Sequence, residues 1–163
     1  MILKKLNKNF ITSLLFVCFI FLIDRLSKIY VIYLDKIHFG SEIFLSKFLN
    51  ISLIWNEGIA FGLLSFEESY FYNFLTVLIF IIIIALIYMT IKSEGFKKYS
   101  YIMVLGGALG NIFDRILHRA VPDFIDFHVG SFHWFIFNVA DIFITLGVFF
   151  MVIVELTDKK QKL

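Results

Sequence analysis

Cysteine and proline each occur only once in this 163-residue chain. A lone cysteine excludes a disulfide framework and a cysteine-based zinc site within one chain. One proline and nine glycines leave little room for low-complexity linkers. Charge is sparse too: 17% of residues are Asp, Glu, Lys or Arg, against about a quarter in an ordinary soluble domain. The net charge of +2 is too small and too scattered for nucleic-acid binding. Also missing are a G-x-S-x-G nucleophile elbow, an H-E-x-x-H zinc helix and a P-loop. His38, His118, His128 and His133 lack metal-ligand spacing, and His133 beside Trp134 suits an interfacial anchor.

Apolar residues are present in excess. They make up 60% of the chain, aromatics 19% with 22 phenylalanines, and the mean hydropathy is +0.89. These values exclude an ordinary soluble domain, a disordered chain and a collagen-like fibre, and leave a small membrane protein. A bilayer core about 30 Å thick takes roughly 20 apolar helical residues to cross. Four segments qualify: 10–34, 70–91, 99–117 and 132–156. The first follows Lys4, Lys5 and Lys8, as a signal peptide would, but Asp24-Arg25 follows Ile23 where a small-x-small cleavage site would stand. Phe16-Val17 also lacks the small residue expected just before a lipidated cysteine, so the segment is expected to be a retained span and Cys18 an inert helix residue.

Nine lysines lie on one side of these spans: Lys4, Lys5 and Lys8, Lys92, Lys97 and Lys98, and Lys159, Lys160 and Lys162. The other side carries Lys36, Lys47 and Arg119. The positive-inside bias therefore places both termini in the cytoplasm and segments 35–69 and 118–131 outside it. Within the longer segment, Ile51, Leu53 and Trp55 alternate with Ser52, Ile54 and Asn56, a strand period that Ile54 interrupts, and Asn56-Glu57-Gly58 reads as a turn. The expected fold is an all-α membrane protein, a single domain over 1–163. It has four transmembrane helices and a small extracytoplasmic β-element between helices 1 and 2, resting on the outer membrane surface.

An ionised side chain within a span costs at least about 2.5–3.5 kcal/mol unless it is paired or hydrated. Three clusters need that explanation, and all fall toward the outer ends of their helices. Asp24 and Lys28, four apart, share a helix face, which an intrahelical ion pair with Lys28 snorkelling outward would explain. Asn111 and Arg115 repeat the spacing beside Asp114, after Gly106 and Gly110, whose G-x-x-x-G face permits close helix approach. Arg115 is a candidate clamp on a backbone carbonyl or partner for a carboxylate. Asp141, with Asn138 one turn before it, has no Lys or Arg of its own helix within reach. Asp123 and Asp126 follow Pro122, where the chain is expected to change direction, and both can be plain solvated loop residues.

Two carboxylates brought close cannot both ionise cheaply, so one keeps a proton. That split supplies a base to activate water and an acid for a leaving amine. Asp123 and Asp141 can form such a pair, being separated by a loop and two helical turns. Gly107-Ala108-Leu109-Gly110 is followed by Asn111 rather than Asp, which disfavours the G-x-G-D pattern of presenilin-type peptidases. Two other readings stay open: a four-span proton-coupled transporter or ion-conducting subunit with Asp24, Asp114 and Asp141 as a relay, and a structural subunit whose charges pair with a partner's helices.

Five blocks in order resemble the bacterial lipoprotein signal peptidase (signal peptidase II) family. Asp24-Arg25-Leu26-Ser27-Lys28 is similar to D-x-x-[ST]-K, and Asn56-Glu57-Gly58-Ile59-Ala60-Phe61-Gly62 to N-x-G-x-A-F-G. Residues 106–115 read G-G-A-L-G-N-x-x-D-R, 121–126 V-x-D-F-I-D, and 137–141 F-N-x-A-D. The resemblance implies an aspartic peptidase with Asp123 and Asp141 as its dyad, no metal or organic cofactor, and Asp24, Lys28, Asn56, Gly107, Asn111, Arg115, Asn138 and Ala140 lining or supporting the site. Its substrate would be a diacylglyceryl-modified prolipoprotein cut just before the lipidated cysteine, with no nucleic-acid partner. It also implies a monomer in the bacterial inner membrane, with its site near the outer surface. In that role Gly107 and Ala140 would keep helix surfaces shallow for a substrate helix, and apolar side chains including Phe61 would accept lipid tails.

Overall fold

The computed structural model describes residues 2–58 and 69–160, with side chains over 9–58 and 72–157. In chain order the elements are α1 (Ile2–Ile37), β1 (Ile43–Ser46), β2 (Leu49–Asn56), α2 (Ser69–Lys92), α3 (Gly95–His118), β3 (Val121–Val129), β4 (Phe132–Phe137) and α4 (Val139–Lys160). Segment Ile59–Gly62 of the second sequence block, Phe61 included, lies outside the described residues.

Among the described residues, three helices contain stretches long and apolar enough to cross a membrane: Asn9–Ile37, Tyr72–Lys92 and Val139–Thr157. Their large apolar side chains, such as Leu15, Phe19, Phe80, Ile84 and Phe149, are mostly exposed, as a lipid-facing surface requires. α3 differs. It packs against α1, α2 and α4, and half its length is buried. Enclosed by its neighbours, it can carry Gly106, Gly107, Gly110, Asp114 and Arg115 buried. The core is built around it: Val17 and Ile20 of α1 and Ile83 and Leu86 of α2 close on Tyr101, Ile102, Val104, Leu105, Ala108 and Ile112.

The strands form one antiparallel sheet in the order β1-β2-β3-β4, so the segment between α1 and α2 folds together with the one between α3 and α4. The register slips between Ile51↔Ile125 and Ile54↔Asp123. A bulge there accounts for the interrupted alternation around Ile54, because an extra residue reverses which face the following side chains take.

Three expectations change. The segment expected to cross from 132 begins as β4, and the helix starts only at Val139. Phe132–Phe137 is rich in aromatic β-formers and pairs with β3, so an apolar run without helical period is a strand. The chain turns at Arg119, in left-handed conformation at φ 57°, and Pro122 sits inside β3. β4 pairing begins only at Ile125, so the missing N–H of Pro122 costs no ladder bond on that side. Asp123 and Asp126 are buried, 4% and 1% exposed, and are not solvated loop residues.

Candidate active site

Asn138 joins Asp123 to Asp141. Its Nδ2 donates to Asp123 Oδ1 at 2.6 Å, and its backbone N–H donates to Asp141 Oδ2 at 3.1 Å. In return the Asp141 N–H donates to Asn138 Oδ1 at 3.1 Å. This reciprocal pair is a capping box in which Asn138 is the N-cap of α4 and Asp141 its third residue. Asp123 arrives from β3, and the β3–β4 hairpin returns the chain to Asn138. The link between the two aspartates is thus a hairpin and one helical turn rather than a loop and two turns.

Two further asparagines complete the surroundings. Asn56 Nδ2 donates to Asp123 Oδ2 at 2.8 Å, and Asn111 Nδ2 donates to Asp141 Oδ1 at 2.8 Å. Each amide is oriented by an obligate donor on its oxygen. The Gly58 N–H occupies Asn56 Oδ1, Lys28 Nζ occupies Asn111 Oδ1, and the Asp141 N–H occupies Asn138 Oδ1. All three Nδ2 groups must then face a carboxylate. Every oxygen of the pair accepts one N–H and keeps a lone pair for a water or a shared proton.

Behind the pair lies a buried ionic joint. Lys28, 1% exposed, places Nζ 2.9 Å from Asp24 Oδ2, 2.8 Å from Asp114 Oδ2 and 2.8 Å from Asn111 Oδ1, using all three donors. Arg25 grips Asp114 with both ends of its fork, at 2.5 and 2.6 Å. Asp24 Oδ1 accepts the Ala140 N–H at 3.0 Å, so α1 holds the first turn of α4. Buried charges cost several kcal/mol each unless paired this fully. The Asp24–Lys28 pair is therefore not an isolated intrahelical one, and Lys28 does not snorkel. Arg25 and Asp114 belong to the same machinery, although neither is among the residues that the resemblance implied for the site. The only signal for Arg25 was its place within the first block.

Gly107 and Ala140 do not present a shallow surface to a substrate. A Cβ on Gly107 would lie 2.5 Å from the Ala140 carbonyl oxygen, and Ala140 is fully buried. The two residues meet each other, letting α3 and α4 approach closely where Asp141 begins its helix. Gly110 does the same against α1, where a Cβ would come 2.5 Å from Asp24 Oδ2.

Burial and the neighbouring Asp141 charge push Asp123 from 3.8 up to about 6, against the lowering effect of the Asn56 and Asn138 hydrogen bonds and of Lys28. Arg115, 4% exposed, donates Nη2 to the Gly58 carbonyl, with its guanidinium 6.0 Å from the Tyr72 ring centroid. The Tyr72 hydroxyl donates to the Arg115 carbonyl at 2.7 Å. Among the described residues, Arg115 Nε and Nη1 have no hydrogen-bond partner. Below them opens a cavity of about 430 Å³ between α2, α3 and α4. Ile79, Ile82, Val104, Ala108, Ile144 and Val148 wall it, while Asn111, Arg115 and Asp141 form its polar end.

Of the ten sequence-designated residues, all but Gly107 and Ala140 contribute a side chain to this connected polar centre, and those two set the helix contact beneath it. Comparison with known proteins gives one answer. Residues 16–157 match the family described as signal peptidase (SPase) II. A lipoprotein signal peptidase of Pelagibacter ubique is 48% identical over 161 residues, covering 98% of this chain and 97% of its own. One from Anaplasma phagocytophilum is 40% identical, covering 85% and 88%. The fold is similar to that of a solved bacterial membrane enzyme determined by the in meso method at 2.3 Å. The TM-score is 0.77 at 34% identity, covering 93% of this chain and 92% of the other.

Proposed function

The chain belongs to the signal peptidase II family of aspartic peptidases, and we propose that it cleaves diacylglyceryl-modified prolipoproteins just before the lipidated cysteine with Asp123 and Asp141 as its catalytic pair. The observation that carries this reading is Asn138, bonded to both carboxylates at the polar end of an apolar cavity. α3, about 36 Å long at 1.5 Å per residue, serves as the fourth span. Both termini lie in the cytoplasm and the site near the outer surface of the inner membrane, where the enzyme works as a monomer among lipids.

The pair holds one shared proton; burial and the Asp141 charge raise Asp123 to about 6, and in this reading Asp123 carries the proton and Asp141 is the base. A water between them gives a proton to Asp141 as its oxygen bonds to the scissile carbonyl carbon, while protonated Asp123 hydrogen-bonds the carbonyl oxygen. Collapse of the tetrahedral species breaks the C–N bond, and the proton taken from water passes to the leaving amine. No covalent enzyme intermediate forms. Seating an apolar substrate segment over the pair removes water and pushes Asp123 further up. The two open donors of Arg115 suit a substrate carbonyl, and the fork cannot act as a competing acid at neutral pH. The cavity below accepts apolar parts of the substrate, signal helix or acyl chain.

The test is cleavage by purified enzyme in lipid. Asp123→Asn and Asp141→Asn each lower the rate by about 10³-fold or more, with insertion and thermal stability kept, and diacylglyceryl-modified precursor is cut in preference to unmodified. Near-normal turnover in either variant removes this mechanism. Cleavage of neither precursor by the unaltered enzyme returns the transporter reading.

A further inference from the structure

A second cluster of polar side chains lies at the far end of the β3–β4 hairpin, apart from the aspartate pair. Asp126 and His128 alternate along β3 and share a face. His133 reaches that face because the register slips: Phe127 pairs with Phe135, but His128 pairs with His133, leaving Trp134 as an extra residue in β4. Without the slip, Trp134 would stand opposite His128 and His133 would point to the other face. Bulges commonly re-aim a side chain in this way. The two imidazoles stack, with centroids 5.1 Å apart and planes 25° apart.

We propose that Asp126, His128 and His133 bind a divalent transition-metal ion such as Zn²⁺. One ligand atom from each lies within 4.8 Å of the others. His133 Nδ1 is 2.8 Å from Asp126 Oδ2, and His128 Nδ1 is 3.8 Å from the same oxygen. The second gap is too long for a hydrogen bond. Ligand atoms around tetrahedral zinc, with bonds near 2.0–2.2 Å, stand about 3.3–3.5 Å apart, so both gaps suit one shared ion after small shifts. His128 carries the independent sign of a ligand site: it is 7% exposed, and its Nδ1 has no hydrogen-bond partner among the described residues. Asp126 is 1% exposed, whereas the His133 side chain is 48% exposed and leaves an open approach for the ion and a water as fourth ligand. Two imidazoles and one carboxylate select a borderline ion over Mg²⁺ or Ca²⁺. For His133 to ligate through Nδ1 its proton sits on Nε2, so both rings bind the ion as neutral imidazoles. The ion would tie β3 to β4 three residues from Asp123, and the His128 N–H, bonded to the Phe48 carbonyl, extends the tie to the β1–β2 turn.

The sequence spacing hid this cluster because ligand spacings are read along one helix or loop, whereas here the hairpin register supplies the third residue. The test uses the full chain in detergent micelles, stripped by a chelator and titrated calorimetrically with zinc sulfate. One zinc per chain is expected, with a rise in thermal stability and an X-ray absorption spectrum showing two imidazole nitrogens. His133→Ala and His128→Phe weaken binding at least about tenfold, and Asp141→Asn leaves it unchanged. His133 is half-exposed, so its variant carries the comparison if the buried His128 variant fails to fold. Absence of saturable binding overturns the proposal, as does zinc binding that survives in His133→Ala or is lost in Asp141→Asn.

Discussion

Asp123 sets the pH dependence because its neighbours act on opposite forms of the carboxyl. Burial and Asp141 favour the protonated acid and carry it to about 6, whereas the Asn56 and Asn138 amides donate to the ionised form and hold it down. If Asp123 supplies the proton, kcat/KM, which reports the free enzyme, falls as pH rises through about 6. Removing a donor to the ionised form raises the pKa further, so Asn56→Ala moves that falling limb to higher pH even as it lowers the maximum. A rate profile measured on a lipidated precursor checks both statements. A limb that rises through the same region would make Asp123 the base and exchange the roles of the pair. Which residues gather in the polar centre was legible in sequence, since the five blocks name Asp123, Asp141 and all three asparagines. Their orientation was not. That Asn56, Asn111 and Asn138 each turn an Nδ2 to a carboxylate depends on which donor takes the oxygen, and Lys28 and Gly58 come from other elements. Asn138-x-x-Asp141 was the exception: a capping-box pattern before an apolar run already implies a helix start at that point.

The elements place these residues through close helix contacts more than through loops. α4 can bring Asp141 to Asn111 of α3 only because Gly107 leaves space for the Ala140 carbonyl and Gly147 does so for Val104 and the Ser100 carbonyl. Gly107→Ala puts a Cβ 2.5 Å from that backbone oxygen, so α4 must move bodily. A displacement of about 1 Å at a reacting group costs on the order of 10²-fold in rate, and we expect that loss together with a lower melting temperature. The same Cβ also meets Ile144 at 2.8 Å, but Ile144→Ala in the same chain does not rescue activity, because the obstacle is backbone. Restored turnover in the double variant would show that side-chain crowding, not helix displacement, was responsible. At this scale the helices and the β2 segment were readable, and the pairing of the four strands was not. α2 is apolar on every face and announces itself, whereas Phe132–Phe137 is equally apolar but too short for a helix once Asn138 ends it. β2 and β3 are separated by a whole helical hairpin, and no local period reveals that Asn56 will lie beside Asp123.

For the molecule as a whole, the chain order puts the sheet and the aspartate pair at one end. α1 leads into β1, α3 leads into β3, and β4 leads into α4, while the α2–α3 turn lies at the opposite end with Lys92, Lys97 and Lys98. The ionic joint of Asp24, Arg25, Lys28 and Asp114 sits among the same helix ends, so the polar centre and the sheet face one side of the membrane together. On the proposed reading the lysine bias sets which side, with the lysine-rich end in the cytoplasm and the sheet outside it. Single-cysteine labelling checks this directly. In a Cys18→Ser background, Lys47→Cys in the exposed β1–β2 turn reacts with a membrane-impermeant maleimide on intact cells, and Glu94→Cys between α2 and α3 reacts only after permeabilisation. The opposite pattern would place the aspartate pair on the cytoplasmic side and overturn the proposed orientation.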